Sequence, residues 1–521
     1  MTSTLLIKKP ELEKEVQEVS VKSFWLLLGE LRLDASYYAQ EVSRATRLLE
    51  ESGYRIMPLH DSFSKDVFYL PREKRFFADS NVGEPYLMPS ELFFFPFSPS
   101  KFVYARKLRK AEEWYVKEGW LLLTRSGKLG KLTLATRSLK EFVVSDDVIR
   151  IISQKDSYSG FLYAYLSTWV GNALLTKDQY GVAVDHIEPH HVKTVKVPLF
   201  PEEIQRIIHN NIQKAFNLRE KSRLLLDKSQ EELLRELELP ELEKPTKIEP
   251  FSVRSSDLKL RFDASYHNPI IDDIHDNLKE CKFPPKRVGD NIGEVFIPGR
   301  FKRIYVGKDY GIPLLSGTQV VQIKPYDMKY ISTKVTKNIE NWIVRTGWVL
   351  VTCSGTIGRI ALVPKEWDGW AISQHVLRII PNAKEVNNGF LVAFLLSEYG
   401  HQQVISKTYG GVVDELAEDD VKDVLIPLPP LDVQKKIGNL VVEAYELKEL
   451  ANKIEDETVK TLESMLTTHN KLEVNEEYLK EINAYADSFE LIGSEEFRRS
   501  LEDLESGETT SFDDFKKELG F

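Results

Sequence analysis

Apolar and polar positions along this chain follow two rhythms in succession, and then the succession begins again. Short apolar runs cut off by Gly, Pro and Ser occupy Trp120–Thr124, Phe142–Val144 and Val148–Ile152. Their length and punctuation predict strands joined by turns. Helical spacing follows near Phe161–Leu175. From Pro201 the pattern becomes one long amphipathic helix. Glu202 to Leu239 holds no Pro or Gly, and Ile204, Ile207, Ile208, Ile212, Ala215 and Phe216 recur at helical spacing. Leu224, Leu233, Leu234 and Leu237 carry the stripe onward. Pro201 stands at the helix start, where a missing N–H costs nothing. The second pass predicts strands at Trp348–Thr352, Ala371–Ser373 and Val376–Ile380, and a helical stretch near Phe390–Ile405. A second long stripe then runs through Val433, Ile437, Leu440, Val441, Ala444, Tyr445, Leu450, Ile454, Leu462 and Leu466. Helices of about 35 residues reach roughly 50 Å. Two such stripes most simply bury against each other as a long antiparallel coiled coil. The alternative is that each helix folds back on its own domain.

The recurrence extends to residue identity. Pro10-Glu11-Leu12-Glu13-Lys14 returns as Pro240-Glu241-Leu242-Glu243-Lys244. Leu31-Arg32-Leu33-Asp34-Ala35-Ser36-Tyr37 returns as Leu260-Arg261-Phe262-Asp263-Ala264-Ser265-Tyr266. The run Gly119–Gly130 returns as Gly347–Gly358, and Tyr180-Gly181 with Val184-Asp185 returns as Tyr409-Gly410 with Val413-Asp414. The offset stays between 228 and 230 residues. That period is far too long for a solenoid and matches a whole domain plus a connector. The expected architecture is therefore α/β (α+β): two duplicated domains carrying two long antiparallel helices, with pseudo-two-fold symmetry. Pro240, Pro245 and Pro250 break the chain between the copies.

Charge changes this picture only when it is read locally. The formal net charge is −10. Yet Lys101–Phe200 holds 16 Lys and Arg against 10 Asp and Glu, and Cys281–Pro381 holds 15 against 7. Corresponding parts of both copies are thus basic, while Lys471–Phe521 holds 6 against 15. Nucleic-acid affinity depends on the field over a face and not on the chain total. No apolar run approaches the roughly 20 residues that span a bilayer. The two cysteines, Cys281 and Cys353, have no counterparts in the first copy, so neither a disulfide framework nor a Cys-based zinc site is expected. A reducing cytoplasm fits.

The Ser-Gly-x-x-Gly turns allow positive φ and close backbone approach. Beside nucleic acid, their N–H groups, the hydroxyls of Ser126 and Ser354, and Lys128, Lys131 or Arg359 could hold phosphates. The other reading is a tight hairpin whose glycines serve geometry alone. Residues that read bases should differ between copies, and Arg125 against Cys353, Lys128 against Thr356, and Asp146-Asp147 against Gln374-His375 do. Asp34–Tyr37 and its counterpart read as a packing element rather than a catalytic one. His186, His190 and His191 have no matching histidines in the second copy, so no metal is expected there. The chain has no Asn-Pro-Pro-Tyr segment and no phosphate-binding Gly-Lys-Ser/Thr loop. It reads as non-catalytic, with no cofactor.

The two-copy layout, the turns Arg125-Ser126-Gly127-x-x-Gly130 and Cys353-Ser354-Gly355-x-x-Gly358, and the helix lead-in Leu428-Pro429-Pro430-Leu431-x-x-Gln434 resemble the specificity (S) subunit of type I restriction-modification systems. The resemblance covers residues 10 to 470. It departs at Leu199-Phe200-Pro201, where the family usually has a Pro-Pro pair, at Cys353, where Arg is common, and in the tail. It implies two target-recognition domains, each reading half of a bipartite site in double-stranded DNA, with the long helices setting the spacing and docking two methyltransferase (modification) subunits. A restriction subunit can join. The corresponding division is 1–30 as an N-terminal segment, 31–199 and 260–428 as recognition domains, 200–244 and 429–470 as spacer helices, 245–259 as linker and 471–521 as an acidic tail. The candidate DNA-binding residues are Arg125, Ser126, Lys128, Lys131, Cys353, Ser354, Thr356, Arg359, Gln374 and His375. Two rival readings are an interaction scaffold that does not touch DNA and a self-contained DNA-modifying enzyme.

Overall fold

In the computed structural model, the described residues are 40–80, 82–155, 158–180, 184–242, 250–258, 261–410 and 414–467. Asp34–Tyr37 and the acidic tail lie outside them. The fold is mixed helix and sheet, and the described residues group into two compact units. One draws on described residues within 40–74, 108–216 and 453–467, the other on those within 75–107 and 217–452.

In the first unit, β1 (Ser64–Phe68), β2 (Leu121–Thr124), β3 (Leu132–Leu134) and β4 (Val148–Ser153) form an antiparallel sheet in the order β1-β4-β2-β3. All four residues of β2 are buried, so this inner strand is covered on both faces and is continuously apolar rather than alternating. The helical stretch predicted near Phe161–Leu175 is two helices, α1 (Ser159–Ser167) and α2 (Trp169–Thr176). Thr168 adopts an extended conformation between them, and its side chain accepts from Gly171 N, capping α2. Helix α3 (Glu202–Leu237) begins in this unit and crosses into the other. Its early stripe, Ile204, Ile208, Ile212 and Phe216, joins one core with Leu121, Ile149 and Phe161, and with Leu462 and Leu466 from late in the chain.

In the second unit, β5 (Gly293–Phe296), β6 (Val349–Thr352), β7 (Ile360–Leu362) and β8 (Val376–Pro381) repeat the same order, β5-β8-β6-β7. Helices α4 (Asn388–Leu396) and α5 (Glu398–Ser406) repeat the break, now capped by Ser397 accepting from Gly400 N. Within this unit the later part of α3 meets α6 (Leu431–Thr467). Arg219 Nη2 donates to Asn452 Oδ1 at 2.6 Å, Lys221 pairs with Glu443 at 3.6 Å, and Lys436 pairs with Glu236 at 3.0 Å. Contacts that advance along one helix while retreating along the other make these segments antiparallel. Leu224, assigned to the stripe from sequence, is 54% exposed. Its neighbours Leu225 and Leu226 are the buried ones, because 100° per residue turns position 224 to the other side.

Residues 75–107, which lie inside the first copy by sequence, pack in the second unit. The physical reason is an aromatic run, Phe93–Phe97. Phe94 sits in a core with Leu315, Val344 and Trp367. Phe95 N donates to Val321 O at 2.7 Å and Ile323 N to Phe93 O at 2.8 Å, around a bridge from Phe94 to Gln322. Phe94 and Gln322, at the centre of the pairing, are one another's equivalents at an offset of 228 residues. Lys448, 3% exposed, lies in the same region with its Nζ 4.7 Å from the Tyr445 ring centre, 5.0 Å from that of Trp367 and 5.3 Å from that of Phe95.

Candidate nucleic-acid interface

Each unit stitches three distant segments into one backbone frame. In the first, the turn after β2 meets the turn before β4 through Arg125 N donating to Asp147 O at 3.4 Å. It meets the loop after Tyr180 through Gly127 N to Asp185 O and Ile187 N to Arg125 O, both 3.1 Å. In the second, Cys353 N donates to His375 O at 3.0 Å, Gly355 N to Asp414 O at 3.1 Å and Leu416 N to Cys353 O at 3.0 Å. The repeated motifs therefore converge in space. Thr124 and Thr352 close the frame, their hydroxyls donating to Lys128 O (2.5 Å) and Thr356 O (2.6 Å).

The glycines divide their labour. Gly127 and Gly355 have φ of +75° and +80°, and a Cβ on either would meet nothing within 4 Å. Gly130 and Gly358 share that left-handed conformation, but a Cβ would come within 2.7 Å of Asn172 Nδ2 or 2.9 Å of Ile405 Cγ2. The outer glycine serves the turn, and the inner one also allows packing on α2 or α5. Gly127 N and Gly355 N are bonded to carbonyls, so these two amides of the turns serve the frame.

The side chains on this frame differ sharply between the copies. Arg125 is clamped. It pairs with Asp147 at 3.2 Å and Glu188 at 2.5 Å, and its guanidinium lies 4.4 Å from the Tyr69 ring centre. Burial pushes the Glu188 carboxyl up, but hydrogen bonds from Tyr180 and Arg125 outweigh it and hold it below the usual range. Ser126 Oγ sits 2.7 Å from both Asp147 Oδ1 and His186 Nδ1. Cys353, at the Arg125 position, is 4% exposed, and burial pushes its thiol up to about 11. Arg125 and Cys353 are thus internal parts of the frame. So is Arg359, half-buried with its guanidinium 4.5 Å from the Phe94 ring centre. Lys128, Thr356 and His375 are exposed, while Ser354, Lys131 and Gln374 are half-buried.

Sequence reading missed two positioning residues, Arg150 and Arg378, equivalent at an offset of 228 residues and both 0% exposed. Arg150 donates to Val148 O at 2.9 Å and Val144 O at 3.0 Å. Arg378 donates to Ser373 O at 3.1 Å and to Val376 O and Ile372 O. Each guanidinium holds from beneath the turn that carries Asp146-Asp147 or Gln374-His375. The available signal was a lone Arg in an apolar strand, in the same place in both copies. Sequence reading also missed Arg303, whose Nη2 donates to Gln374 Oε1 at 2.5 Å, with the Gln374 amide 3.1 Å from His375 Nε2. Tyr266 stacks under the Arg261 guanidinium at 4.6 Å, and Arg261 also donates to the Lys407 and Thr408 carbonyls. That lead-in segment is a packing element in the second copy. Among the described residues, no group of three or more His, Cys, Asp or Glu could hold a metal ion, and no helix is long and apolar enough to cross a membrane.

Residues 308–460 match the family model described as the type I restriction modification DNA specificity domain. That stretch lies in the second copy and the long helix that follows it, and its similarity is to the same family that the repeated motifs resemble. No curated protein matches the chain. Among solved structures, the S subunit of a type I restriction-modification system from M. genitalium is 13% identical, with a TM-score of 0.34 over 80% of this chain and 95% of that one. The HsdS subunit from Thermoanaerobacter tengcongensis is 16% identical, with a TM-score of 0.26 over 81% and 97%. The type IIG restriction endonuclease BpuSI is 10% identical, with a TM-score of 0.24 over 38% and 33%.

Proposed function

We propose that this chain is the sequence-specific DNA-recognition subunit of a type I restriction-modification complex. Each copy, 31–199 and 260–428, reads one half of a bipartite duplex target. The helices α3 and α6 form the coiled-coil spacer between halves and dock two methyltransferase subunits, with a restriction subunit joining the same assembly. The chain itself is non-catalytic and acts in the cytoplasm. One observation carries this reading: the same three-segment frame occurs in both copies but bears different exposed side chains, Lys128 in one and Thr356 with His375 in the other. Shared frames with divergent tips suit two readers of two different sequences. The match of residues 308–460 to the specificity domain supports it.

The test is to co-express the chain with the modification subunit of its host and map the methylated bases. Two half-sites separated by a fixed unread spacer are expected. Replacing Gln374 and His375 by Ala should relax one half and leave the other intact. Methyl transfer by the isolated chain would revive the self-contained enzyme. Failure to bind duplex at low salt would favour the scaffold.

A further inference from the structure

A second motif recurs at an offset of 228 residues. Arg72-Glu73-Lys74-Arg75 and Arg300-Phe301-Lys302-Arg303 share the pattern Arg-x-Lys-Arg, each in the loop that leaves the first strand of its four-stranded sheet. Their exposure also recurs. Arg72, Lys74, Arg300 and Lys302 are exposed, while the x residue and the final Arg are half-buried. The final Arg is held by a polar neighbour, Arg75 by Tyr86 Oη at 3.1 Å and Arg303 by Gln374 Oε1. The x position anchors the loop by whatever chemistry is at hand. The Glu73 carboxylate accepts from Arg109 N at 2.9 Å, whereas the Phe301 ring lies 3.7 Å from that of Trp342. The anchor has changed while the outward cations have stayed. Among the described residues Arg72, Arg300 and Lys302 pair with no carboxylate, unlike Arg47, Lys110 or Lys279 on the same protein's surface.

Two readers of different sequences share only one ligand chemistry, the phosphodiester backbone, since phosphate contacts position a protein without carrying sequence information. We propose that Arg72 and Lys74 in one copy, and Arg300 and Lys302 in the other, grip DNA phosphates beside each half-site, in the same way whatever bases that half carries. In the second copy Arg303 ties this grip to Gln374 and His375, so the loop sets the register of the side chains that differ. This inference rests on the DNA-recognition reading above.

The experiment measures binding of the full chain to a fluorescent duplex bearing the mapped methylated site and to one of random sequence, over a salt series. The variants are Arg72→Gln with Lys74→Gln, and Arg300→Gln with Lys302→Gln. Each pair should weaken binding to both duplexes by the same factor and lower the log–log salt slope by about 1.8, roughly 0.9 for each of two contacts. Exchanging Arg for Lys and Lys for Arg at the same positions should restore binding, which separates charge from folding. Wild-type affinity and slope in the Gln variants would overturn the proposal alone. Loss confined to the target duplex would also overturn it, by making these residues base readers. No binding of either duplex by the unaltered chain would sink the DNA reading itself, and this proposal with it.

Discussion

The buried Lys448 should make the second unit more stable in mild alkali, the reverse of ordinary behaviour there. Burial lowers its ammonium from the usual range to about 8, against smaller opposing effects of Glu449 and Glu366. The unfolded chain keeps that proton until about pH 10.4. Between these values the unfolded state binds more protons than the folded one, so stability rises with pH. The shift corresponds to about 3 kcal/mol at 1.36 kcal/mol per pH unit. That is an upper figure, because the rings of Phe95, Trp367 and Tyr445 attract the charged form. Lys448→Met keeps the length of the side chain and removes its charge. Denaturant unfolding followed by tryptophan fluorescence, with Trp367 beside the site, should show wild type gaining on the variant from pH 8 to 10.5. At pH 7 the variant should be the more stable. Subtracting the two removes every other titrating group. Parallel pH profiles would refute the reasoning and mean that Lys448 stays fully charged in the folded state.

Three other outcomes follow. Arg378→Met should cost about 3–5 kcal/mol in denaturant unfolding, since it strips a charged donor from three carbonyls; a loss below about 1 kcal/mol would show that the turn holds itself. Gly355→Ala should cost only the left-handed backbone term, about 1–2 kcal/mol, whereas Gly358→Ala should cost more because its Cβ also meets Ile405 and His401; equal losses would argue against packing there. Inserting four residues into both long helices at matching depth adds roughly 6 Å and should lengthen the unread spacer by one to two base pairs, read by methylation mapping; an unchanged spacer would mean that the helices do not set it.

Much of this was legible before any coordinates. The strands around Leu121–Thr124 and Val349–Thr352, and the two long helices, follow from apolar spacing, because buried strands and stripes leave a period in the sequence. What was hidden depends on contacts between distant segments. Nothing local in Phe93–Phe97 says that it packs beside Val321 rather than within its own copy. Arg125 reads from sequence as a DNA-contact candidate, but its partners, Asp147 and Glu188, lie 22 and 63 residues away. Arg-x-Lys-Arg recurs at the common offset, but the residues flanking it differ between copies and leave it without a longer shared motif.

The guanidiniums of Arg150 and Arg378 grasp main-chain carbonyls of the turns they support. Every amino acid supplies the same carbonyl, so this support is indifferent to what the turn carries. The two copies already use it for Asp146-Asp147 and for Gln374-His375. A lineage under pressure to change what it recognises can therefore substitute an exposed tip such as His375 without first repairing the carbonyl clamp beneath it, whereas Asp147 also holds Arg125 and Ser126.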